Sequence, residues 1–199
     1  MKKELFLCFS ITIFLGCKFG QMEKTEVDKL WDKSWELSFS DKDSSLIVLD
    51  KLIELDSSIQ SAHNFKMAIY CSMIKYDEAI SECEILLKYN PDLAIEWLSS
   101  GVLYDIVGDK KIANERYNKS LKMFTEIIDT TNDQKKMESA YYNKLVLKKL
   151  LDDDSYIKDL EKCRKERPII FDRFYKDFIF KSKTELKFNM MKYHGDRKP

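Results

Sequence analysis

The sequence predicts an all-α protein: a right-handed superhelical stack of about four helical hairpins with a capping helix at its C-terminal end. Three observations predict it. The 199-residue chain has only 5 Gly and 3 Pro beside 44% hydrophobic residues, a composition that favours one compact helical domain. Apolar residues recur at helical spacing, as in Val27, Leu30, Trp31 and Trp35. His63, Tyr70, Ala79 and Cys83 recur 34 residues later as Trp97, Tyr104, Ala113 and Tyr117. The 34 basic side chains balance the 34 acidic ones. Phosphate binding needs a surplus of Lys and Arg, so nucleic acid is not the expected partner.

The elements are justified in chain order. Met1-Lys2-Lys3 is a short basic start, and Leu5 to Leu15 is an apolar run too short for the roughly 20 residues of a spanning helix. Phe14-Leu15-Gly16-Cys17 resembles the lipobox of bacterial lipoproteins, in which the cysteine is lipid-modified and becomes the first mature residue. The resemblance implies a signal over residues 1–16, a lipidation site at Cys17, a tether over 17–24 and an address on a bacterial envelope membrane, the outer one if the cell is Gram-negative. An ordinary export signal or uncleaved anchor is the other reading of this segment. Residues 25–185 form the repeat domain and 186–199 a basic flexible tail.

Within the repeat domain, residues 25–58 read as a first hairpin, with Ser45, Leu49 and Leu52 lying 34 residues before Ala79, Cys83 and Leu86. The second ends at Asn90-Pro91, since proline cannot continue a helix. The third reads Trp97-x-x-Ser100-Gly101-x-x-Tyr104, turns at Gly108-Asp109, and continues through Ala113-x-x-x-Tyr117 to about Asp129. A fourth fits Met137 to Leu151, a turn at Asp152 to Ser155 with Ser155 as N-cap, and Tyr156 to Arg167 before Pro168. Phe171 to Glu185 then gathers Phe171, Phe174, Tyr175, Phe178 and Ile179 on one face of a capping helix.

The third hairpin and its predecessor resemble the tetratricopeptide repeat, W-x-x-L-G-x-x-Y followed by A-x-x-x-F and P. Small residues such as Gly101, Ala79 and Ala113 let two antiparallel helices approach, and Tyr70, Tyr104 and Tyr117 fill the space between hairpins. By this resemblance the first helices line a concave groove that takes another protein or a peptide. Its lining residues would be Ser61, Asn64, Ala68 and Cys71 from one unit and Ile95, Leu98, Val102 and Asp105 from the next. Ile95, Leu98 and Val102 either form an apolar docking patch or lie under the Met137 to Leu151 helix or the C-terminal one. The chaperone-docking members clamp a terminal carboxylate with Lys, Asn and Arg. Here those places carry Asn64, Ala68, Ile95 and Ser99, so that activity is not expected.

Catalytic constellations are not apparent. The chain has 2 His, no His-Glu-x-x-His, no Cys-x-x-Cys and no Gly-rich phosphate loop. His63 reads as a packed imidazole, and Asp152-Asp153-Asp154 as a solvated turn without the spacing of a calcium loop. No cofactor, metal or small-molecule substrate is expected. Cys71 and Cys83 are either buried thiols or, after export, a disulfide. Asp77 to Glu115 carries a balance of −6 and Arg173 to Pro199 one of +5. The expected function is a membrane-anchored, non-catalytic scaffold or adaptor in the envelope. An immunity-type lipoprotein that neutralises a toxin is the alternative, and an envelope hydrolase is a third.

Overall fold

The computed structural model describes residues 25–55, 60–168, 171–175 and 178–193. The proposed signal, Cys17 and the tether therefore lie outside the described residues. Among those described there is no β-strand, and the helices follow one another as α1 (Glu26–Ser40), α2 (Lys42–Leu55), α3 (Gln60–Ser72), α4 (Tyr76–Tyr89), α5 (Ala94–Val107), α6 (Lys110–Thr130), α7 (Gln134–Leu150), α8 (Ser155–Glu166) and α9 (Lys183–Tyr193). Helices α1 to α8 pack in consecutive antiparallel pairs, and each pair packs on the next. The expected all-α hairpin stack is the observed one.

Local chemistry accounts for the helix ends. Thr25 and Asp28 form a reciprocal capping box at the start of α1, so two amides that would lack helical partners are satisfied. Asp109 and Asp133 accept amide hydrogen bonds at the starts of α6 and α7. Gly108 closes α5 with φ +94°, a left-handed conformation that costs glycine nothing. Asp154, not the expected Ser155, occupies the cap position of α8, and the Ser155 amide donates to Asp153 Oδ1 at 3.0 Å. Pro91 and Pro168 lie just beyond α4 and α8, where proline cannot extend the helix.

Within the third hairpin the small positions act as anticipated. Gly101 packs so closely that a Cβ there would lie 2.5 Å from Tyr117 Cδ1. Ala79, Ala113 and Tyr117 are buried, and Ser120 Oγ donates to Ala94 O at 2.7 Å, tying α6 to the start of α5. Trp97 stacks under two cations, Lys119 Nζ at 3.5 Å and Arg116 Cζ at 4.7 Å from its ring centroid, and Arg116 also grips Glu84 of α4 at 3.1 Å. This joins the second hairpin to the third by charge as well as by apolar burial.

The C-terminal part differs from the sequence expectation. Phe171 to Glu185 is not one helix: Phe171–Tyr175 is a π-helical turn, Phe178–Phe180 a 3-10 turn, and α9 begins afresh at Lys183. Phe171, Tyr175 and Phe178 of the expected stripe are nevertheless buried, Tyr175 and Phe178 against Tyr142 and Tyr156, whereas Phe180, which is not part of that stripe, is 84% exposed. Ser182 and Glu185 form a new capping box, with amide hydrogen bonds of 2.7 and 3.1 Å, that starts the next helix where the stripe was expected to end. The tail expected over 186–199 is helical as far as Tyr193, and Leu186 within it is 2% exposed.

Candidate protein-binding groove

The first helices of successive hairpins, α3, α5 and α7, share one face, and α9 lies across it in contact with all three. Its path can be followed through its side chains. Lys183 Nζ donates to Leu150 O at 3.2 Å and pairs with Asp152 Oδ1 at 2.5 Å, both at the C-terminal end of α7. Lys187 pairs with Asp105 near the end of α5. Met191 reaches the far side, where it closes a small apolar cavity with Met67, Ala68, Cys71, Val102 and Leu103. The helix thus runs from α7 over α5 to α3, along the carbonyl ends of these helices, where positive side chains are favoured by the helix dipoles.

Asp105 is the electrostatic centre of this arrangement. It is 8% exposed and takes ion pairs from Lys110 and Lys187 together with the Tyr117 hydroxyl, which donates at 3.2 Å. Burial pushes its carboxyl upward, but the hydrogen bonds from the two lysines outweigh this and hold it below the usual carboxylate range. A charge on the apolar α5 is tolerated because it is paired on two sides.

The residues expected to line the groove divide into two groups. Leu98 and Val102 have no exposure at all and belong to the same buried cluster as Leu186, so of the two readings left open for them the covered one holds. Asp105 is likewise covered, whereas Ser61, Asn64, Ala68, Cys71 and Ile95 keep partial exposure. Ser61, Asn64 and Ile95 stand toward the starts of α3 and α5, away from the ends that α9 crosses. Asn64 Oδ1 is buried there without a hydrogen-bond partner, which costs free energy unless a donor is supplied. Cys71 and Cys83 are free thiols, and burial pushes the Cys71 thiol up to about 12.

Sequence reasoning missed a buried charge network beneath the groove. His63 Nδ1 lies 2.7 Å from Glu82 Oε2, Lys66 Nζ lies 2.6 Å from Glu82 Oε1, and Lys66 also meets Asp50 at 2.8 Å, so α2, α3 and α4 are joined by charge. Burial opposes ionisation of Glu82, yet the hydrogen bonds from His63 and Lys66 prevail and lower its pKa. For Lys66, burial opposes the charge and hydrogen bonds to Asp50 and Glu82 raise the pKa. The one available signal was a glutamate at a core-facing position of α4. Among the described residues no cluster of three or more His, Cys, Asp or Glu could hold a metal ion, and no helix is long and apolar enough to cross a membrane.

No family model matches the chain. Protein STIP1 homolog of Dictyostelium discoideum is 27% identical to it over 121 residues, which is 58% of this chain and 20% of that protein. The chain therefore spans about a fifth of the length of this curated relative. The consecutive helical pairs and this distant relative fit a tetratricopeptide-like protein.

Proposed function

We propose that the chain is a non-catalytic protein-interaction module of the tetratricopeptide type, held on a bacterial envelope membrane by lipid on Cys17 and serving there as a scaffold or adaptor. The observation that carries the interaction role is that the face shared by α3, α5 and α7 already accommodates a helix, with apolar contacts and a charge pair supplied by α5. The partly exposed Ser61, Asn64 and Ile95 extend that face beyond the part α9 covers. The likeness to Protein STIP1 homolog supports the same role. The anchor rests on the lipobox-like segment, with several acyl chains contributing about 0.8 kcal/mol per buried methylene.

Photo-crosslinking amino acids at Ser61 and Asn64, irradiated in living cells, are expected to trap the same discrete protein, while one at the exposed Asp77 of α4 traps none. Recovery of nothing from either groove position would overturn the interaction role. Feeding labelled palmitate is expected to label the parent chain and not Cys17→Ala. An unlabelled parent removes the anchor and leaves the groove untouched.

A further inference from the structure

Helix α9 has the character of a ligand for the groove, not of a permanent part of its wall. It has only 11 residues, and isolated helices shorter than about 12 to 15 residues are marginal in water, so its helicity depends on the surface beneath it. Its anchors are few: the buried Leu186, the Lys187 pair with Asp105, and Met191 at the apolar cavity, with Phe188 left 63% exposed. The Lys183 pair with Asp152 is mostly solvated, the aspartate being 82% exposed, and such pairs contribute little. Beneath it, Asp105 keeps Lys110 and Tyr117 whether or not Lys187 is present, so the α5 side of the site stays assembled when α9 leaves.

We propose that α9 is a built-in competitor that closes the groove until a partner helix of the same chemistry displaces it, and that the partner is a basic helix presenting a leucine, a lysine beside it and a methionine or similar apolar residue about one turn further on. The leucine takes the place of Leu186, the lysine pairs with Asp105, and the last residue enters the cavity beside Met67 and Val102. Lysine is specified because the occupied surface consists of carbonyl ends of helices plus a buried carboxylate, which penalise an acidic helix. This deepens the interaction role proposed above and rests on it. A tethered competitor lowers the apparent affinity of any incoming helix by the fraction of molecules in which the groove is open.

The test uses the full chain and a fluorescein-labelled peptide with the sequence of residues 182–193. Lys187→Glu with Met191→Asp sets like charge against Asp105 and an acid in the apolar cavity, and is expected to release α9. Peptide affinity should then rise about tenfold or more over the parent, as for a groove open less than a tenth of the time. A peptide carrying Lys187→Glu should lose binding to both chains. Equal affinity for parent and released chains, or no binding by a released chain that keeps its helical circular dichroism, would overturn the proposal. So would a released chain that dimerises and is not dissociated by the peptide, since the occupant would then be a second copy. If the double variant fails to fold, amide exchange in an isotopically labelled parent decides: saturating peptide should speed exchange in α9 and leave α5 unchanged, and no change in α9 sinks the idea. The two readings fail separately. Trapping at Ser61 with an undisplaceable α9 defeats only the competitor, and a displaceable α9 with no cellular partner defeats only the interaction role.

Discussion

Gly101→Ala is expected to lower the stability of the protein by about 2 kcal/mol, as the remainder of an overpacking cost of about 3 kcal/mol and a gain of about 1 kcal/mol from replacing a helical glycine. At this chain length that lowers Tm by about 4 to 8 °C. The added methyl would sit 2.5 and 2.6 Å from two carbons of the Tyr117 ring and 3.3 Å from Ala113 O. The ring cannot swing away freely, because it is 1% exposed and its hydroxyl is bound to Asp105. With Tyr117→Leu in the same chain, the loss of the double variant should be smaller than the sum of the two single losses, since the clash is then relieved. Thermal unfolding of the four chains checks this, and an unchanged Tm for Gly101→Ala would show that α5 and α6 are not in the described contact.

Glu82→Ala is expected to cost about 3 kcal/mol, near the lower end for breaking a buried pair, because Lys66 retains Asp50 while His63 loses its partner. The same network sets a pH dependence. The folded-state pKa of Glu82 is lowered, so its contribution is fully present above the ordinary carboxylate pKa and is lost as pH falls through the folded value. The pKa of Lys66 is raised, so its contribution is present below the ordinary lysine value and is lost as pH rises through the folded one. Denaturant titrations should show the gap between parent and Glu82→Ala wide near neutrality and narrowing below about pH 4, around the carboxylate range. A gap that stays constant into acid would contradict the ionised pair.

The legible part of the fold was the part governed by local rules. Gly108, Pro91 and the Trp97 to Tyr117 spacing act through backbone conformation and through contacts within one hairpin, so they are visible at fixed offsets along the chain. What stayed hidden depends on partners far apart in sequence. The Glu82 network needs α2, α3 and α4 to be assembled before its distances exist. Likewise Leu186 and Met191 have no periodic stripe around them that announces a docked helix. Their burial comes from α3, α5 and α7, and only the paired Ser182 and Glu185 marked a helix start inside the supposed capping segment. The helical pairs that carry the candidate groove were anticipated. The cover over Asp105 and beside Val102 comes from α9, and that choice between readings could not be made in one dimension.

The position of α9 after α7 in the chain carries a consequence for biosynthesis. A ribosome completes α3, α5 and α7 before it has made Lys187 or Met191, so every newly emerging copy passes through an interval with its docking face unfilled. On the competitor proposal, a helical segment from another polypeptide competes with nothing during that interval, and afterwards it must evict a tethered rival. On that proposal, pairing during translation is therefore favoured over pairing between finished molecules.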